Sequence, residues 1–164
     1  MLIVAKRMRD LDFSALMEVY SESNRENAQR RWPEEPLERQ LFLAEEAFWQ
    51  YLREDFFTTP GALYTVWSVD EKYVSALRLE PYRDGLLLEA LETAPAHRGK
   101  GYASALLQAV IEELVPGRLY SHVGKKNAPS LRTHEKVGFR RVSESAVYID
   151  GSVDDRCCTL CRNG

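Results

Sequence analysis

A chain of 164 residues with 22 basic and 25 acidic side chains, net charge -3, fits one domain and lacks the basic excess that a general nucleic-acid binder uses against phosphates. No apolar run approaches the roughly 20 residues of a membrane span, and Met1-Leu2-Ile3-Val4-Ala5-Lys6-Arg7 puts its charges after a very short apolar piece, the reverse of a secretory signal. The expectation is a cytoplasmic protein that engages neither nucleic acid nor membrane.

Residues 2 to 5 read as a short strand. Asp12 is a plausible N-cap for a helix that buries Phe13, Leu16, Met17 and Tyr20 and ends near Asn27. Trp32-Pro33-Glu34-Glu35-Pro36 breaks the chain, because each proline disfavours helix in the residue before it. A second helix follows from about Leu37 to Phe57, with Leu41, Phe48 and Leu52 on one side and more aromatic residues than one buried stripe needs.

After Thr58-Thr59-Pro60-Gly61 the pattern becomes extended. Ala62 to Val69 and Lys72 to Leu79 form a hairpin across Asp70-Glu71, Pro81 to Gly85 is a turn, and Leu86 to Thr93 is a third strand. Ala103, Leu106, Leu107, Val110, Ile111 and Leu114 then share one face of a helix that stops at Pro116-Gly117. Arg118 to Val123 is a strand, Asn127 to Val137 a helix, and Phe139 to Ile149 and Arg156 to Cys161 are strands that turn at Asp150-Gly151. The order is β-α-α-β-β-β-α-β-α-β-β, a mixed α/β sheet. Cys157, Cys158 and Cys161 read as small apolar residues of the final strand: their number is odd, and no second pair or nearby histidine completes a zinc site, so no metal is expected.

Between the third strand and its helix lies Arg98-Gly99-Lys100-Gly101-Tyr102-Ala103. The first N–H groups of a helix have no intrahelical acceptor and carry the positive end of its dipole, so this glycine loop reads as an anion cradle. Its spacing is neither Walker A nor Gly-x-Gly-x-x-Gly. It resembles the Gln/Arg-x-x-Gly-x-Gly/Ala signature of the GCN5-related N-acetyltransferases, the GNAT superfamily, through Arg98, Gly101 and Ala103. A second stretch, Asn127 to Phe139, resembles that family's Asn-x-x-Ala-x-x-x-Tyr-x-Lys-x-Gly-Phe segment through Asn127, Lys136, Gly138 and Phe139. Ser130 is a small-for-small replacement there, and His134 stands where the family has tyrosine.

The resemblance implies a GNAT-like α+β fold over residues 1–164 as a single domain, with a mostly antiparallel central sheet flanked by helices. It implies an acetyl-CoA-dependent transfer to a primary amine of a small molecule or peptide. The pyrophosphate of acetyl-CoA would lie on the amides of Arg98, Gly99, Lys100, Gly101, Tyr102 and Ala103, with Lys100, Lys125 or Lys126 near the 3′-phosphate. The backbone of Leu91, Glu92 and Thr93 would pair with the pantetheine arm, and Asn127 and Ser130 would adjoin it.

His134 would protonate the departing thiolate, for which an imidazolium is chemically competent. Glu89 and Glu92 are the nearest candidates for a base, although strand alternation sets them on opposite faces unless a bulge intervenes. Trp32, Trp49 or Tyr51 would border the acceptor. The alternative, suggested by the missing tyrosine, is a non-catalytic acyl-CoA-binding module. Acyl preference, and whether the protein is a monomer or a homodimer, stay open.

Overall fold

The computed structural model describes all 164 residues. Seven strands form one sheet in the order β1-β2-β3-β4-β5-β9-β6. They are β1 (Leu2–Ala5), β2 (Leu63–Val69), β3 (Lys72–Tyr82), β4 (Gly85–Thr93), β5 (Arg118–Gly124), β9 (Cys157–Arg162) and β6 (Arg140–Ser143). All neighbours are antiparallel except β4 and β5. Helices α1 (Phe13–Val19), α2 (Ser21–Arg31) and α3 (Leu37–Glu54) precede β2, α4 (Tyr102–Leu114) follows β4, and α5 (Ala128–Lys136) follows β5. This is the mixed, mostly antiparallel α/β architecture expected. No helix is long and apolar enough to cross a membrane.

Strand alternation divides the core into two. One cluster joins Leu77, Leu79, Leu88, Leu119, Val123 and Leu160 of the sheet to Leu106, Leu107, Val110 and Ile111 of α4. The other joins Tyr64, Val66 and Ala76 to Leu16, Met17 and Val19 of α1 and Leu52 of α3 on the opposite face. The hairpin between β2 and β3 turns on Asp70 and Glu71, both with positive φ (49° and 62°), as a two-residue turn of primed type requires.

Several expected boundaries move, each for a local reason. The first helix is broken at Tyr20, which leaves helical geometry with φ -93° and ψ 14° while its hydroxyl donates to the Ala90 carbonyl at 2.7 Å. Helix then resumes as α2 and runs to Arg31 instead of ending near Asn27, stopping where Pro33 begins the break. The helix from Leu37 gives way after Glu54 to a 3-10 turn over Phe56–Thr58. Strand β3 continues through Pro81 to Tyr82. Its pairing with β2 ends at Leu63 opposite Leu79, so the proline sits beside an open edge where no N–H is needed.

The expected strand from Phe139 to Ile149 divides at Glu144-Ser145. β6 pairs with β9, whereas β7 (Ala146–Val147) folds onto β8 (Val153–Asp154) as a separate ribbon. The three cysteines are free thiols on β9, with Cys158 wholly buried against the α4 core.

Candidate active site

The site begins with the parting of β4 and β5. These strands are paired only from Gly85 opposite Arg118 to Leu88 opposite Ser121. Beyond that point β4 is bent by a bulge: its register with β3 shifts between Ala76 and Arg78, and Ala90 takes φ 51°, a left-handed conformation that a residue with a Cβ rarely adopts. Tyr20 holds the Ala90 carbonyl from the helix side. The fork encloses a cavity of about 210 Å³ lined by Leu88, Ala90 and Leu91 of β4, Ser121 and His122 of β5, and His134 of α5, with Asn127 and Ser130 at its rim.

At the open end of β4 the glycine loop leads into α4. Gly99 and Gly101 have φ 75° and 81°, and Gly101 occupies the cap position with no side chain closing the helix end. The amides from Gly99 to Ser104 make no hydrogen bond to a backbone carbonyl, so six donors are left free at and before the positive end of a 13-residue helix. That is the donor set a pyrophosphate needs; Lys100 lies within the loop, and Lys125 and Lys126, after β5, are exposed as it is.

The Arg98 side chain faces elsewhere. Its Nε donates to the Thr93 carbonyl at 3.2 Å, and its guanidinium pairs with Glu22 of α2 and approaches Glu92 at 3.9 Å. It braces the loop against α2, leaving the loop backbone to receive an anion.

Of the three residues expected to pair along pantetheine, only Leu91 lines the cavity. The Glu92 carbonyl accepts from Ser75 Oγ at 2.8 Å and the Thr93 carbonyl from Arg98, so two of the expected acceptors are already taken. Asn127 caps α5, its side chain accepting from the Ser130 amide at 3.2 Å.

His134 differs from the expected thiolate donor. It is buried on α5, its Nδ1 lies 2.8 Å from the Ser130 carbonyl and its Nε2 lies 2.9 Å from Ser121 Oγ. The carbonyl can only accept, so Nδ1 carries the proton and Nε2 accepts from the serine hydroxyl. Burial lowers the pKa against a smaller opposing effect of the Ser130 carbonyl, so the ring is neutral with both nitrogens engaged. An imidazolium waiting to donate is therefore the wrong picture for His134. What the pair presents to the cavity is the Ser121 oxygen, an acceptor whose one hydrogen is given to His134.

The bulge brings Glu89 and Glu92 to the same face, that of α1–α3, where simple alternation would have separated them. Glu92 packs near Ser23 of α2, its pKa raised by burial against the pull of Ser23 and Arg98. Glu89 faces Arg78 and Glu80 of β3 and His122 of β5. Burial, followed by hydrogen bonding to Glu89 and its charge, pushes the Glu80 carboxyl up to about 7.

His122, absent from the sequence reading, stands between Tyr82 and Tyr148, whose rings meet it edge-on with centroids at 5.7 and 5.1 Å. Neither Trp32 nor Trp49 lines the fork. Trp32 borders a groove between α2 and α3 that also includes Tyr51, and Trp49 lies under Arg53 at 4.5 Å on the outside of α3. Tyr51 is the aromatic of α3 that reaches the sheet, with the Arg78 guanidinium 5.0 Å over its ring.

The family model described as acetyltransferase (GNAT) family matches residues 13–139. Streptothricin acetyltransferase of Streptomyces lavendulae is 31% identical over 78 residues, which are 45% of this chain and 41% of that protein, so the chain matches about two-fifths of the length of that curated relative. Among solved structures, PaiA N-acetyltransferase from Thermoplasma acidophilum in complex with coenzyme A aligns with a TM-score of 0.65 at 15% identity, over 100% of this chain and 99% of its own. The ribosomal-protein-S18-alanine N-acetyltransferase from Escherichia coli aligns with a TM-score of 0.60 at 18% identity, over 99% and 94%. At these identities the structural likeness speaks for the fold, and the family match covers both the glycine loop and the Asn127 to Phe139 stretch. The chain belongs to the acetyltransferase (GNAT) family, whose acyl donor is acetyl-CoA.

Proposed function

We propose that the protein transfers the acetyl group of acetyl-CoA to a primary amine of a small molecule or peptide, as a single cytoplasmic domain spanning residues 1–164. The observation that carries this reading is the unsatisfied amide cradle at the start of α4, in the loop that follows β4 from the open end of the β4/β5 fork. The amides of Gly99 to Ser104 would hold the pyrophosphate, Leu91 would flank the pantetheine arm, and the rim residues Asn127 and Ser130 would close the side toward α5. When bound, the donor supplies a thioester carbonyl to the fork.

Around that carbonyl the chain would offer the Ser121 oxygen from the α5 side, its one hydrogen given to neutral His134, and carboxylates from the α1–α3 side. The acceptor would enter from the α1–α3 face, where Tyr51, Glu80 and Glu89 combine an aromatic wall with acidic groups suited to an alkylammonium.

The test is calorimetric titration with acetyl-CoA on the parent and on Gly101→Glu, followed by mass-spectrometric detection of acetylated products across a panel of primary amines. Micromolar binding that the variant loses, together with an acetylated amine, supports the reading. Binding without turnover of any amine would make the protein a coenzyme-binding module instead.

A further inference from the structure

Leu88 and Ser121 are the last residues to pair before the strands part, so Glu89 and His122 are the first side chains past the fork. Both lie on the α1–α3 face, opposite Ser121 and His134. His122 is among the residues lining the cavity, yet its Nδ1 and Nε2 are both closed off from solvent without a hydrogen-bond partner, and Glu89 Oε2 is in the same condition. Buried polar atoms in folded proteins are almost always paired, and three orphans on two neighbouring side chains at the apex of a cleft lack a group that the chain does not provide. A neutral imidazole leaves one ring nitrogen as an acceptor and the other as a donor, and a carboxylate oxygen accepts, so two of the three orphaned atoms call for a hydrogen-bond donor. An ammonium is such a donor.

We propose that His122, with Glu89 beside it, takes the proton from the incoming ammonium before nitrogen attacks the thioester carbonyl. This inference rests on the acetyl-transfer reading and assigns the base for it. A primary ammonium loses two protons in becoming an amide. The first passes to a ring nitrogen of His122, freeing the lone pair that forms the C–N bond. The C–S bond then breaks with its electron pair going to sulfur, nitrogen gives up its second proton, and the thiolate takes one up. His122 returns its proton through Glu89 to Glu80, whose carboxyl reaches solvent.

The surroundings suit a base. Tyr82 on β3 and Tyr148 beyond β7 flank the ring, β9 places uncharged Thr159 opposite it, Arg83 disfavours a cation there and Glu89 favours one. Burial outweighs Glu89 and lowers the pKa, so the ring is neutral and able to accept at pH 7. His134, whose Nε2 already accepts from Ser121, has no such capacity free.

The experiment compares the parent with His122→Gln and Glu89→Gln, all confirmed as folded by thermal melting. It uses the best amine from the panel and reads acetyl-CoA affinity by calorimetry. The expected result is a kcat lower by about 100-fold in His122→Gln, the usual scale for a lost general base, with acetyl-CoA affinity unchanged. The rise of kcat with pH on the acidic side should disappear in that variant. In parallel, the His122 imidazole of the parent is titrated by NMR, and Glu89→Gln should lower its pKa because the neighbouring anion is gone. Turnover by His122→Gln within threefold of the parent, or an imidazole indifferent to Glu89→Gln, overturns the assignment while leaving acetyl transfer standing. A parent that acetylates no amine overturns the transfer reading, and this assignment with it.

Discussion

Glu80 shows at the scale of one residue how the site is held at a cost. A carboxyl ordinarily titrating near 4.5 is brought to about 7 by burial and by the carboxyl of Glu89 beside it. Between those values the native protein retains a proton that the unfolded chain has released, so its stability falls as pH rises through that window. Glu80→Gln removes the ionisation. We expect the variant to melt higher than the parent at pH 8 and close to it at pH 4, where both side chains are neutral. A parent-like difference between pH 4 and pH 8 in the variant would place the titrating group elsewhere. The same residue scale separates the two imidazoles of the fork: His134 is satisfied on both nitrogens and His122 on neither.

At the scale of elements, the fork depends on how closely β4 and β5 approach where they still pair. A Cβ on Gly85 would lie 2.1 Å from the Arg118 carbonyl oxygen, a backbone atom that cannot rotate away. Gly85→Ala should therefore force the two strands apart at the closed end of the fork. The expected loss is about 2–4 kcal/mol of stability by denaturant unfolding, in the range typical of overpacking and disturbed pairing. Gly101→Ala is a useful contrast, because nothing lies within 4 Å of its added Cβ and only the positive φ opposes it. It should cost about 1 kcal/mol. Equal losses in the two variants would mean that strand approach at Gly85 is not the constraint.

Much of this level was legible in the sequence and some was not. The α4 stripe of Leu106, Leu107, Val110 and Ile111 states its helix and its buried face outright, and the glycines at 99 and 101 mark the turn before it. The run Leu86 to Thr93 marks a strand but hides its bulge, since Leu-Leu-Leu-Glu-Ala-Leu-Glu-Thr has no strict alternation for a bulge to interrupt. The left-handed Ala90 is fixed by Tyr20, seventy residues away, and the same contact breaks the first helix. A lone histidine in a seven-residue strand gave no signal at His122. Its meaning comes from standing beside Glu89 across a fork that only the folded sheet creates.

For the molecule as a whole, the fork marks a seam. β1 to β4 form one half of the sheet and β5, β9 and β6 the other, joined by four residue pairs and by the α4 core, which touches Leu77 and Leu79 on one side and Leu119 and Leu160 on the other. On the opposite face the large cluster under α1–α3 lies on the first half alone, and only the small group of Tyr82, Leu87 and Tyr120 crosses the seam. A ligand held by the α4 cradle and lying in the fork would contact both halves and bind only when they are correctly docked. Acetyl-CoA at a hundred times its Kd should then add about 2.7 kcal/mol to the stability of the native state. For a chain of this size that is a rise in Tm of about 5–10 °C. Differential scanning fluorimetry at increasing acetyl-CoA concentration measures the rise directly, and Gly101→Glu, which fills the cradle with a like-charged side chain, should show none. A shift of the same size in that variant would locate the ligand away from the glycine loop, and the fork would lose its claim to the acyl donor.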